Sequence, residues 1–277
     1  MKIFPAAAAF VFAALPSFGQ EAPVRDPNAD LAAAIDAKVE AVRADNERRA
    51  AFSGALLLSA QGNEGAAEEY VFPGAHDDQP RWHYLTKPLL ASKAVRTRVA
   101  GGWRLDTTRE TKDSAGFFSL RLPGPVVRPP IDRRVGFSLR FRLAVRSESH
   151  VRPERAGTSV IVIGDDLLGV ELGFWENEVW AQTDAPMFTH GEGAPFATAA
   201  AVDYELRLAG DRYQLNAGGR KVLEGPLKNY SSFGFPYDQR SFLFYGDDTG
   251  SAAADMELSG LRVEYGPPAG AVGIAAD

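Results

Sequence analysis

Residues 169–184, GVELGFWENEVWAQTD, place two tryptophans, several carboxylates and an amide at strand spacing. In an extended chain alternate side chains point to opposite faces, so Val170, Leu172 and Phe174 share one side while Glu171, Gly173 and Trp175 share the other. Beyond a Glu176-Asn177 turn, Val179 and Ala181 rejoin the apolar row, and Trp180 and Gln182 join Glu171 and Trp175. A plain sheet needs only the apolar row. Two indoles beside a carboxylate and an amide make a platform whose aromatic planes can stack on the apolar faces of sugar rings while the polar groups fix hydroxyls. Gly173 leaves room for a ligand to approach the backbone. The competing reading packs both indoles under a covering loop and pairs Glu171 with an arginine.

Two neighbouring segments carry further acids and bases. SESHVRPER brings Glu148, His150 and Arg155 to the end of a long strand, and the loop MFTHGEG brings His190 and Glu192 between glycines. Two of the chain's four histidines fall in these segments. With Glu171 they supply candidate acids, bases and a cationic clamp, provided the fold brings them into one cleft. Glycoside hydrolysis needs two carboxylates roughly 5 to 10 Å apart, and Glu171 with Glu192 or Glu148 meets the requirement in residue type. Proton abstraction beside a uronate carboxylate needs a base and a neutralising group, for which His150, Arg155 and Gln182 are candidates.

Adjacent aspartates in GDDTGS, Asp247 and Asp248, and in GDD at 164–166 would suit a hard, oxygen-loving cation such as calcium, or are ordinary turn residues. His190 with Glu192 is too sparse for a zinc signature. With no cysteine in the chain, thiol chemistry and disulfides are excluded. G-x-S-x-G, G-x-x-x-x-G-K-[ST] and a dinucleotide fingerprint are all missing, so no nucleotide or other organic cofactor is expected.

The elements that must position these residues are strands. From about residue 81, short apolar-alternating runs such as GFSLRFRLAV, TSVIVIG and SFLFYG follow one another with Gly, Asn, Asp and Pro between them and no helical period. YELRLAGDRYQLNAGGRKVLEG reads as a three-strand antiparallel meander turning at Gly210-Asp211 and Gly218-Gly219. The expected class is all-β, a jelly-roll sandwich of two antiparallel sheets, preceded by an N-terminal α-helix. That helix is placed near Asn28–Phe52, with Leu31, Ile35, Val39 and Val42 along one face, a surface a protein partner could use.

The first 19 residues carry Lys2, an apolar run and Ser17-Phe18-Gly19, the pattern of a secretory signal peptide. The organisation expected is a signal peptide over 1–19, a helix and connector over 20–80, the sandwich over 81–266 and a disordered tail over 267–277. The protein is therefore expected to be exported, periplasmic or extracellular. Its apolar run is shorter than the roughly 20 residues of a membrane span. A net charge of −6 without a basic block excludes nucleic acid and anionic lipid as partners.

The run from Val135 to Tyr265 resembles the concanavalin A-like and laminin G-like jelly rolls. The string SESHVRPERAGTSVIVIGDDLLGVELGFWENEVWAQTD, with FTHGEG, GPLKNYSSFG and FLFYGDDTGSA, is similar to the C-terminal sandwich of uncharacterised secreted bacterial proteins that differ in their C-terminal anchors. The ending YGPPAGAVGIAAD carries no such anchor motif, which points to a periplasmic or released protein. The resemblance implies one convex and one concave sheet, the concave one commonly facing a glycan, and implies no reaction. Three functions follow as expectations. The first is a carbohydrate-binding protein in which Trp175 and Trp180 stack and Glu171, Gln182, His150 and Arg155 hydrogen-bond. The second is a polysaccharide-cleaving enzyme, hydrolase or lyase, using Glu171 with His150, Glu148, His190 or Glu192. The third is a structural or adhesion module without a small ligand.

Overall fold

Strand follows strand at the intervals the turn residues mark, and every pairing is antiparallel. The computed structural model describes residues 27–60, 68–70, 72, 80–87, 92–109, 113–121, 129–185 and 187–266. Helix α1 (Pro27–Ala60) comes first, then β1 (Glu68–Tyr70), β2 (Trp82–Lys87), β3 (Val95–Val99), β4 (Gly102–Asp106), β5 (Ser114–Ser119) and the long β6 (Phe137–His150). β7 (Ser159–Ile163), β8 (Leu168–Phe174), β9 (Glu178–Gln182) and β10 (His190–Pro195) follow. The chain continues through β11 (Val202–Ala209), β12 (Arg212–Ala217), β13 (Arg220–Pro226), β14 (Lys228–Asn229), β15 (Phe242–Asp247) and β16 (Ala252–Tyr265).

The strands form two sheets. One runs β1-β2-β5-β15-β7-β8-β9-β10, with β14 added on β8, and the other runs β13-β12-β11-β6-β16-β4-β3. Their facing sides make one core, in which Leu139, Phe141 and Leu206 of the seven-stranded sheet meet Val162, Leu172 and Val179 of the nine-stranded one. The expected meander is β11-β12-β13. Its second turn has positive φ at both Gly218 (56°) and Gly219 (77°), the backbone a tight two-residue hairpin requires and glycine adopts without strain.

By its contacts the chain divides into two compact units, up to Glu40 and from Ala41 onward, and both sheets belong to the second. The helix continues through Ser53–Ala60, which the sequence reading had given to the connector, because SGALLLSA is rich in the helix formers leucine and alanine. Leu31, Ile35 and Val39 are exposed. Two further segments differ from expectation. Glu68–Tyr70, inside the expected connector, pairs with β2 as an edge strand, and HGEG of the expected loop opens β10, which pairs with β9 through a bulge. The expected signal peptide and tail lie outside the described residues.

A second apolar cluster lies on the outer side of the nine-stranded sheet, built from Phe118, Ile161, Ile163, Phe242 and Phe244 and covered by Phe188, Tyr230 and Tyr237. The central strands SVIVI and FLFYGD are consequently buried on both faces. This explains their unbroken apolar runs, since a half-exposed strand would alternate.

Candidate functional site

The β8–β9 hairpin forms as its alternation dictates. Val170, Leu172, Phe174, Val179 and Ala181 enter the inter-sheet core, and Glu171, Trp180 and Gln182 share the opposite face with Trp175 at the turn. Gly173 and Trp180 are directly paired across the two strands. The indole lies over the glycine so closely that a Cβ at 173 would sit 2.5 Å from Trp180 Cε2. The space that the sequence reading reserved for a ligand is thus filled by the neighbouring side chain.

Nor is the platform open. Trp180 is 1 % exposed, Glu171 3 %, Gln182 1 % and Arg155 0 %, which corrects the expectation of a solvent-reachable Trp180, while Trp175 is half-buried. The cover comes from irregular segments, residues 183–185 and 187–189 with Phe188 and residues 230–241 with Tyr230 and Tyr237. Phe188 stands at φ 45°, a left-handed conformation costing a non-glycine residue about 1–2 kcal/mol. Its carbonyl accepts from the Arg155 guanidinium, which holds it there.

Beneath the cover is a polar cluster. The Tyr230 hydroxyl donates to the Gln182 carbonyl at 3.1 Å and accepts from the Glu171 amide at 3.1 Å, tying the cover to both strands. The Tyr237 hydroxyl lies 3.1 Å from Glu171 Oε2 and 2.9 Å from Asp248 Oδ2. The Gln182 amide, turned to donate, reaches both Glu171 oxygens at 2.7 Å, and Ser159 Oγ donates to Asp248 Oδ1 at 3.3 Å. Burial, and then the negative charge of Glu171, push the Tyr230 hydroxyl well above the ordinary phenol range, so it stays protonated as donor.

An aromatic ladder adjoins the cluster. His150 stacks on Trp175 at 4.4 Å and 10°, Trp175 meets Trp180 at 5.7 Å, and His190 stacks on Trp180 at 4.7 Å. Trp175 Nε1 donates to the Arg155 carbonyl at 2.8 Å. Each imidazole has an acid, His150 Nδ1 with Glu148 Oε2 at 2.8 Å and His190 Nε2 with Glu178 Oε1 at 3.0 Å. Burial raises the Glu148 carboxyl above its usual range against the lowering pull of His150.

The fold therefore brings Arg155, Glu171, Trp180 and Gln182 into one cluster and sets Glu148, His150, Trp175 and His190 beside it. Glu192 goes elsewhere, bonding Lys228 Nζ at 2.7 Å. Tyr230 and Tyr237 were missed as partners of Glu171, as was Asp248 on the same Tyr237 hydroxyl. The two tyrosines fall in GPLKNYSSFGFPYDQR, whose turn residues conceal which side chains face inward, and Asp248 was read only with Asp247 as a turn or cation pair.

The aspartates do not converge as that reading required. Asp247 bonds Thr107 Oγ1 at 2.8 Å and the amide and hydroxyl of Thr249 at 3.0 Å, while Asp248 turns to Ser159 and Tyr237. Burial pushes Asp247 well above the usual carboxylate range, while those hydrogen bonds pull it down. Asp165 and Asp166 pair with Arg121 and Arg133. Among the described residues no group of three or more His, Cys, Asp or Glu side chains is placed to hold a metal ion.

The outer face of the seven-stranded sheet offers a shallow depression of about 370 Å³ lined by Arg140, Arg142, Asp203 and Glu205. Its charges are committed to one another, Arg140 with Glu205 and Arg142 with Asp203, each at 2.9 Å. This is a solvated face.

No protein-family model and no curated protein matches the sequence. Among solved structures, alginate lyase A1-II', a member of polysaccharide lyase family 7, matches 61 % of this chain and 82 % of its own at 11 % identity and a TM-score of 0.38. A carbohydrate esterase, vb_24B_21 from the Shiga toxin-encoding bacteriophage phi24B, matches 66 % and 90 % at 12 % identity and a TM-score of 0.42. A sialidase matches 62 % of this chain and 16 % of its own at 10 % identity and a TM-score of 0.40. At these values the likeness carries no functional argument, and the two-sheet sandwich stands on its own strand pairing.

Proposed function

We propose that the protein binds carbohydrate on the outer face of the nine-stranded sheet, at the cluster of Arg155, Glu171, Gln182, Tyr237 and Asp248 beside Trp180. One observation carries the reading: ionisable and amide side chains are gathered on the sheet face that does not pack against the second sheet. Burying charged groups costs several kcal/mol each even after relaxation, and apolar side chains would hold a cover down more cheaply. A guanidinium, an amide, phenols and carboxylates around an indole supply the donors and acceptors that fix hydroxyls next to an apolar ring face.

In this reading Trp175 and the two imidazoles brace Trp180, and the segment around Tyr237 shifts when a glycan enters. Export remains part of the proposal through the leader-like first 19 residues. No helix among the described residues is long and apolar enough to cross a membrane.

The test is a glycan array probed with the full chain and with Glu171→Gln and Trp175→Ala. Glu171→Gln should weaken retention at least tenfold, while Trp175→Ala should weaken it less. A wild-type protein that retains no glycan refutes the reading and leaves the structural module, which the near-complete burial of the cluster favours.

A further inference from the structure

Glu171 lies within β8 and Asp248 in the turn after β15, yet both reach the same oxygen, Tyr237 Oη, at 3.1 and 2.9 Å. Two carboxyl oxygens touching one atom are at most about 6 Å apart. Acids that flank a scissile glycosidic bond and cleave it with retention of configuration stand about 5–5.5 Å apart, against about 6.5–9.5 Å for inverting pairs that admit a water. A second observation comes from the floor of the cluster. Trp180 Nε1 is buried and has no hydrogen-bond acceptor among the described residues. It lies over Gly173, whose partner on the next strand is Ser159, the residue that bonds Asp248. A buried indole N–H ordinarily has an acceptor, and a sugar hydroxyl is one.

We infer that Glu171 and Asp248 are the paired carboxyls of a retaining glycoside hydrolase centre, and that the Tyr237 hydroxyl occupies the place of the substrate's glycosidic oxygen until the segment around it moves aside. The inference rests on the carbohydrate reading above and adds a reaction to it. One carboxylate forms a bond to the anomeric carbon as the bond to the leaving sugar breaks, and the other carboxyl gives its proton to the leaving oxygen. Water then adds to the same carbon, returns a proton to the second group and releases the first, so one water is consumed per bond cleaved. Trp180 Nε1 donates to a ring hydroxyl. The histidine–acid pairs take no part.

The test uses the full chain with a panel of 4-nitrophenyl glycosides and every polysaccharide retained on the array, with proton NMR of the first anomer released. Hydrolysis with retention is expected, and Glu171→Gln and Asp248→Asn should each lower kcat by about 10²–10⁴-fold. With glycine at either position, sodium azide should restore nitrophenol release in the variant lacking the nucleophile. Tyr237→Phe keeps the ring and removes the competing oxygen, so KM should fall at least twofold. Thermal transitions within a few degrees of wild type show that each variant is folded.

Glycan binding without bond cleavage overturns the inference and leaves the binding reading standing. Neither binding nor cleavage removes both. An inverted product, or full turnover in both isosteric variants, overturns the carboxyl pair. A loss of kcat in Tyr237→Phe at constant KM overturns the role given to Tyr237.

Discussion

Replacing Gly173 with alanine tests the arrangement on which the site description depends. The added methyl would lie 2.5, 2.6 and 2.9 Å from Cε2, Cζ2 and Nε1 of Trp180. Carbon atoms pack best at about 3.5–4.0 Å, so the indole must lift by about 1 Å. It cannot lift alone, because His190 stacks on it at 4.7 Å and Trp175 meets it at 5.7 Å. Overpacking of this kind costs about 1–3 kcal/mol. The sign makes the test decisive, since a strand glycine with open space above it gains about 0.5–1 kcal/mol on becoming alanine. Urea unfolding followed by near-ultraviolet circular dichroism should show a lower midpoint with an unchanged slope. In a Trp180→Leu background the penalty should shrink, giving a coupling of about 0.5–3 kcal/mol. Equal or greater stability of Gly173→Ala in the wild-type background would refute the overlap of indole and glycine, and with it the buried placement of Trp180.

Asp247 has a folded-state pKa raised by burial, so its stabilising contribution is complete below the ordinary aspartate value and drains away as pH rises toward the raised one. Asp247→Asn should flatten the loss of stability above about pH 4, by up to about 1.4 kcal/mol per pH unit, in thermal melts across pH 4–8. Glu205 behaves oppositely. Burial raises its pKa, but hydrogen bonds from Arg207 and Arg140 outweigh this and lower it, so its contribution is present above about pH 4.5 and lost as pH falls below. Being part-exposed, it is worth under about 1 kcal/mol, which Glu205→Gln should remove at pH 7 and not at pH 3. Gly219→Ala places a side chain at φ 77° and should cost about 1–2 kcal/mol by urea denaturation although nothing lies near the new methyl.

Legibility from the sequence tracked how local the determining physics was. The meander was readable because Tyr204, Leu206 and Leu208 alternate and the glycines stand where positive φ is needed. The two rows of the β8–β9 hairpin were readable for the same reason, and Glu171, Trp180 and Gln182 do share a face. Burial of that face was not, since it depends on Phe188, Tyr230 and Tyr237, which return from segments without periodicity. Continuous apolar runs in SVIVI and FLFYG were the one available sign that the nine-stranded sheet is covered on both sides. Asp248 illustrates the limit most plainly: its neighbour in sequence, Asp247, faces away, and through Tyr237 it meets Glu171, 77 positions earlier in the chain.

The order of the strands has a consequence for how the molecule assembles. β15 sits between β5 and β7, and β16 between β4 and β6, so late segments join early ones in both sheets. Until residues 242–265 arrive, β1-β2-β5 has no link to β7–β10, and the β3-β4 hairpin none to β6. Such distant closures make folding slow, on the order of milliseconds to seconds. A nascent or threaded chain stays as separate hairpins for most of its synthesis, and a truncation before residue 242 should leave four fragments of sheet where the intact polypeptide has two.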